Sequence, residues 1–415
     1  MPGTHATAAA DQPTRPESGP NRRIYLDHAA TSPLRPEARQ IFVETLEHCG
    51  ANPASVHLPG QAARRVIEDA RDRVAAALRV EADEILFTGS GTESDNLAVR
   101  GLAWAADRET APRLVTSAIE HSAVRRSVAW LADRGDVEAV EVPALPDGTV
   151  DPQVFLDAAN DNTCVASLMA ANNETGVVQP IGEVGRALAE RGVPFHVDAV
   201  TALGKRPVFP GDLPCDLLTL SAHKAGGPPG LGVLHVRRGL KLQPLYNGGS
   251  QEHGLRPGTP FPALVAAGAW AIADAIEHQA AHAARLSELT ARLEDGLLAL
   301  DGVGIHGREA DRLPGMTCAW FEGVVGSQLL RALDVQGFAV SAGSACTSGS
   351  SLPSHVLTVM GVDTARASGS LRLSLSASQD LDDIEAFLEA LPPVLQRLRS
   401  ASSVEHASAG KGGPD

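Results

Sequence analysis

The sequence predicts an α/β fold: a large, mostly parallel sheet with helices on both faces, followed by a smaller α+β unit. Three observations carry this reading. From about residue 80 to 235, short β-rich runs alternate with helical stretches, the pattern of repeated strand–helix units. Several runs are apolar throughout, such as CVASLMA at 164–170, as strands buried on both faces require. The alternation then gives way to a long Ala/Leu-rich helical region at 262–300.

The elements follow in chain order. Residues 1–22 are small, polar and Pro-rich and lack the apolar stretch of a secretory leader, so they read as a disordered lead. Strands are predicted at 84–88, 113–117, 137–142, 164–170, 194–198, 216–220 and 231–236, with helices at 93–106, 121–134 and 181–191 between them. After the helical region come strands at 315–321 and 370–375. Helices are expected near 326–334, 353–360 and 379–399, and a Ser/Gly-rich loop at 341–352. Residues 401–415 read as a disordered tail.

Composition removes whole classes of function. The 415 residues carry 35 basic and 50 acidic side chains, a net charge of −15, so there is no basic field to attract a phosphate backbone and no nucleic-acid partner is expected. No apolar run reaches the length of a membrane span of about 18 residues. With no targeting segment in sight, the expected compartment is the cytoplasm. The five cysteines are scattered and form no CxxC, which points to neither a disulfide framework nor a metal site. Lysine occurs only at 205, 224, 241 and 411, so chemistry that needs an amine has few candidates.

Four motifs carry chemistry. In FTGSGTESDNLA, 87–98, a strand runs through a Gly-rich turn into a helix opening at Thr92 or Glu93. Gly91 allows close backbone approach and Thr92 adds a hydroxyl, which suits a phosphate at a helix N-terminus. Thr92 as a plain N-cap, with Asp95 in the first turn, is the structural alternative. In FHVDAV, 195–200, Asp198 closes a buried strand, where ligands of open α/β sheets bind; capping the next helix is its alternative. In LTLSAHKAGGPPGLGVL, 218–234, Lys224 follows a strand and precedes a glycine cluster. A desolvated lysine there suits Schiff-base chemistry, and Asp198 would partner a pyridinium, against a surface lysine in a loop. In VSAGSACTSGSSLPSHVL, 340–357, Cys346 lies among Ser, Gly and Thr, a composition that favours a travelling nucleophile over a core filler.

Taken in order, YLDHAAT, TESDN, NNETG, HVDA, SAHK and SAGSACTS resemble the cysteine desulfurases, within the fold-type I, class V aminotransferase-like enzymes that use pyridoxal 5'-phosphate (PLP). The loop around Cys346 resembles the long-loop type I subgroup. The resemblance spans residues 25 to 376. It implies that Lys224 bonds covalently to PLP, that His121 stacks on its ring and moves protons, and that Asp198 pairs with the ring nitrogen. Gly91, Thr92, Ser221 and His223 match the phosphate cup. Asn173 and Arg372 match the substrate end, Arg372 clamping the carboxylate of L-cysteine. Thr259, in LRPGT, matches a residue that reaches the partner subunit's phosphate, which implies a homodimer. Cys346 matches the cysteine that carries sulfur as a persulfide to an acceptor protein. At Thr201 the family has a glutamine that donates to the phenolic oxygen of PLP, so this position departs from the pattern.

The resulting expectation is an N-terminal arm at 23–37 that packs with the small domain, a PLP-binding domain at 38–275, and a small domain at 276–400. The expected reaction takes L-cysteine to L-alanine. A selenocysteine or C–S lyase and a low-activity PLP scaffold protein are the alternatives.

Overall fold

The computed structural model describes residues 23–106, 110–342 and 353–409, with side chains to residue 401. The expected lead at 1–22, Cys346 with most of its loop, and residues 410–415 lie outside the described residues. The strands are β1 (Ile24–Tyr25), β2 (Ile85–Thr88), β3 (Arg113–Ser117), β4 (Glu138–Val142), β5 (Thr163–Ser167), β6 (Phe195–Asp198), β7 (Leu217–Ser221), β8 (Gly232–Val236), β9 (Val303–Ile305), β10 (Met316–Phe321), β11 (Phe338–Ala339) and β12 (Ser370–Ser374).

Seven of them form the large sheet, in the order β2-β8-β7-β6-β5-β3-β4. Neighbours run parallel except β8, which is antiparallel to both β2 and β7. Successive residues of a strand face opposite sides, and the packing follows that period. Ile85, Phe87, Leu218, Leu220 and Val233 enter one buried cluster, while Leu86, Leu217, Leu234 and Val236 enter another on the opposite face. Helices Leu58–Leu78 and Pro262–Glu277 cover the first face, and Gly91–Ala105 and Ser122–Asp133 the second. The all-apolar strand runs of the sequence are thus explained by two covered faces.

The helical region at 262–300 comprises two helices. Pro262–Glu277 ends at His278, and Gln279–Leu298 starts from the same residue. The break changes partners. Val265, Ala269 and Ile272 pack in the large sheet's core, whereas the stripe Leu286, Leu289, Leu293 and Leu297 packs in a separate core with β10, β12 and the last helix. That second core lies beside the three-stranded sheet β12-β10-β9. The last helix runs Leu381–Ala409, past the position 401 where the tail was expected to fray; ASSVEHASA contains no Gly or Pro to stop it before Gly410.

The N-terminal segment ties both units together. β1 pairs parallel with β11, and Leu26 donates to the Ala339 carbonyl. Further on, Ser32 and Arg35 donate backbone N–H groups to the His223 and Gly226 carbonyls, and Arg35 pairs with Asp274. The segment therefore lies directly over the turn that carries Lys224.

Candidate active site

The site forms where five parallel strands end. Gly91 follows β2, His121 follows β3, Asn173 follows β5, Asp198 ends β6, and Ser221 ends β7 three residues before Lys224. Carboxyl ends of strands in open α/β sheets are where ligands bind, because backbone and helix termini converge there. A cavity of about 300 Å³ opens at this point. Its walls include Gly91, Thr92, His121, Asn173, Asp198, Thr201, Ser221, His223, Lys224 and Arg372. The structure does not bring Thr259 to this cavity; it sits exposed in the loop before Pro260.

One end of the cavity is built to take an anion. The helix begins at Gly91, not at Thr92 or Glu93, and Ser90 is its N-cap, accepting from Glu93 N–H at 3.1 Å. Glu93 returns the favour by accepting from Gly89 N–H at 2.6 Å. These contacts use the Gly89 and Glu93 amides at the start of the helix, whose residues Ser90, Gly91 and Thr92 line the cavity. A Cβ at Gly91 would lie 3.0 Å from Val200 Cγ2 and 3.4 Å from the Ser221 side chain, so glycine keeps this cradle open.

The cavity is also lined by acidic side chains. Asp198 is 6% exposed and accepts only from Val200 N–H, at 3.0 Å, among the bonds of its side chain described here. Burial pushes its carboxyl up, while His121, the Val200 amide and Lys224 act against that shift. Asp95, which reasoning from sequence assigned only to a helix turn, is 1% exposed and also lines the cavity. Its carboxyl is pushed well up, first by burial and then by Asp198. One polar atom each from Asp95, His121 and Asp198 lies within 4.8 Å of the others. Behind them His196 is wholly buried between Ser167 and Thr219, at 2.9 and 3.0 Å, and burial lowers its pKa to about 3.

His121 does two jobs. It is the N-cap of Ser122–Asp133, its Nδ1 accepting from Ala123 N–H at 3.2 Å, and it also lines the cavity. A neutral ring in that geometry carries its proton on Nε2. Lys224 sits on a short turn closed by Gly226 at φ 76°, a conformation that favours glycine. A Cβ at Gly226 would also meet the Arg35 side chain at 2.6 Å. The Lys224 ammonium donates to the Ala29 and Ala30 carbonyls at 2.5 and 2.9 Å, so YLDHAAT is a wall of the site. His223 lies next to Thr31, Nδ1 to Oγ1 at 3.2 Å; burial and then Lys224 hold its pKa near 4.

Arg372 is 4% exposed and also lines the cavity. One guanidinium nitrogen donates to the Asn173 carbonyl and another to Asp27 Oδ1, both at 2.8 Å, while Nε has no hydrogen-bond partner among the described residues. Asp27 is thus an internal carboxylate on the arginine expected to hold a substrate carboxylate. Thr201 lines the cavity, and its carbonyl accepts from Lys205 Nζ at 3.1 Å. The signal for Asp95 and Asp27 was present in TESDN and YLDHAAT; what was missing was their burial, which only the packed chain reveals.

Comparison with known proteins finds relatives over most of the chain. The family described as aminotransferase class-V matches residues 24–387. An IscS-like cysteine desulfurase of Mycobacterium tuberculosis is 42% identical over 385 residues, covering 91% of this chain and 98% of that protein. A cysteine desulfurase IscS of Methanosarcina thermophila is 39% identical, covering 92% of this chain and 94% of its own. A solved structure described as a NifS-like protein superposes with a TM-score of 0.85 at 32% identity, covering 91% of this chain and all of that one. The chain therefore belongs to the aminotransferase class-V family, among its cysteine desulfurases.

Proposed function

We propose that this enzyme uses PLP to convert L-cysteine to L-alanine and leaves the substrate sulfur on Cys346 as a persulfide, for transfer to an acceptor protein. The observation that carries the reading is one cavity lined by a glycine-cradled helix N-terminus, a buried aspartate and Lys224. That polarity fits PLP, with an anionic phosphate at one end and a cationic ring nitrogen at the other. Gly91, Thr92, Ser221 and His223 would hold the phosphate, Asp198 the ring nitrogen, His121 the ring face, and Thr201 and Asn173 its rim. When bound, PLP supplies an electron sink for negative charge developing at the substrate Cα.

The side chains do the rest. Arg372 orients the substrate carboxylate, sharing its guanidinium with Asp27. Lys224 takes the proton from Cα and holds it near the same atom. The Cys346 thiolate attacks the substrate sulfur: an S–S bond forms, the C–S bond breaks, and its electron pair stays with carbon. That carbon then takes a proton, for which His121 is the adjacent donor, and becomes the methyl group of alanine. The two substrates, L-cysteine and a thiol, become alanine and a persulfide without any added oxidant.

The same reading includes a homodimer in which the exposed Thr259 of one subunit completes the phosphate site of the other. It also includes a domain division at 275/276, supported by the change of core at His278. Among the described residues no helix is long and apolar enough to cross a membrane, and a cytoplasmic location is part of the proposal. The test pairs two measurements on Cys346→Ala. It is expected to keep the cysteine-induced change in cofactor absorbance and to lose protein-bound radiolabelled sulfur. Label retained at one stoichiometric site, with alanine formed at the normal rate, would falsify the sulfur-acceptor role.

A further inference from the structure

Beside the substrate end, two side chains far apart in sequence are hydrogen-bonded in a place the reaction scheme does not use. Ser354 Oγ donates to Glu174 Oε2 at 2.5 Å, and each residue is 4% exposed. Ser354 also accepts from Leu357 N–H at 3.2 Å, capping the helix His355–Val359. Val356 and Leu357 of that helix are buried in the core of the large sheet.

Glu174 is equally fixed. Its backbone N–H donates to Asn172 Oδ1 at 2.9 Å, and the preceding carbonyl, that of Asn173, holds Arg372. On the other side of Cys346, Ser341 exchanges two backbone hydrogen bonds with Arg372, at 2.7 and 3.2 Å. Residues 341 and 354, which bracket Cys346 in the chain, are thus both fastened around Arg372. Burial raises the Glu174 carboxyl to about 7, so near neutrality a large share of Glu174 carries a proton.

We infer that Glu174 and Ser354 are positioning residues for sulfur transfer, their hydrogen bond fixing Ser354, eight residues after Cys346 in the chain, next to the Asn173 carbonyl that holds Arg372. The inference rests on the reading of Cys346 as the sulfur acceptor. A tethered nucleophile reacts at a rate set by its effective concentration, which falls when one end of its tether is released.

The test measures single-turnover loading of radiolabelled sulfur onto the PLP-loaded enzyme, alongside the absorbance change on adding L-cysteine. Glu174→Ala and Ser354→Ala are each expected to slow loading about tenfold while the absorbance change keeps its cysteine dependence, the size expected for one hydrogen bond. The double variant should be no slower than the worse single one. Glu174→Gln should recover most of the rate, because its amide oxygen still accepts from Ser354. If Glu174→Ala does not fold, Ser354→Ala and Glu174→Gln carry the comparison. Loading at the wild-type rate in Ser354→Ala overturns the inference. So does an equal loss in the absorbance response, which would place the effect in substrate binding, or a Glu174→Gln variant as slow as the alanine variants. Cys346→Ala is the control: if it still takes up label, the acceptor reading fails and this inference falls with it.

Discussion

Replacing Glu120 with glutamine isolates the electrostatic cost of one buried acid next to His121. Glu120 is fully buried, and its Oε1 accepts from Ser117 Oγ at 2.6 Å and from Met169 N–H at 2.8 Å. Its Oε2 has no hydrogen-bond partner among the described residues. Burial pushes the carboxyl from 4.5 up to about 8; Asp198 adds to the shift and the two hydrogen bonds oppose it. The folded state therefore binds this proton more tightly than the unfolded chain. Stability from that proton is intact below about 4.5 and is lost as pH rises toward about 8. Between about pH 5.5 and about pH 8.5 the loss integrates to roughly 3 kcal/mol. Glu120→Gln keeps an oxygen for both donors and cannot ionise. Its stability relative to wild type is expected to improve by about 3 kcal/mol over that pH interval. The assay is urea unfolding of both proteins at the two pH values, with PLP saturating throughout. Subtracting the two proteins removes the titration of groups they share. A difference that stays constant within about 0.5 kcal/mol across the interval would refute the assignment of a buried, proton-holding Glu120.

Two further outcomes are expected. Borohydride reduction of the PLP-loaded enzyme should place the label on the peptide containing Lys224. Lys205 is the informative competitor, since burial and then Lys224 lower its pKa to about 8, but its Nζ is committed to the Thr201 carbonyl at 3.1 Å; a label there would reverse the assignment. Thr201→Gln should shift the cofactor absorbance and leave alanine production within about tenfold of wild type, the range of one neutral hydrogen bond. Complete loss of activity would mean that the cavity is packed around threonine.

Much of this molecule is legible one segment at a time. Short β-rich and apolar runs identified the sheet strands, because a strand covered on both faces needs apolar side chains at consecutive positions. The Gly-rich turn before Asp95, the Asp198 strand end and the Lys224 turn were readable because turn chemistry and strand termination are local properties. Their order along the chain was enough to suggest the family. What the segments did not contain was direction and depth. That β8 runs against its neighbours depends on which strands it meets, and the break at His278 depends on two cores competing for one helical sequence. Asp95, Glu120 and Glu174 are ordinary acids in sequence; they become proton-holding groups only when distant strands and helices exclude water from them. Arg372 meets Asp27 across almost the whole chain, and Ser354 meets Glu174 across nearly half of it. Sequence by itself determined which side chains could do chemistry. Tertiary structure decided which of them lose water and which partners they find, because desolvation and ion pairing depend on residues that approach only after the chain has folded.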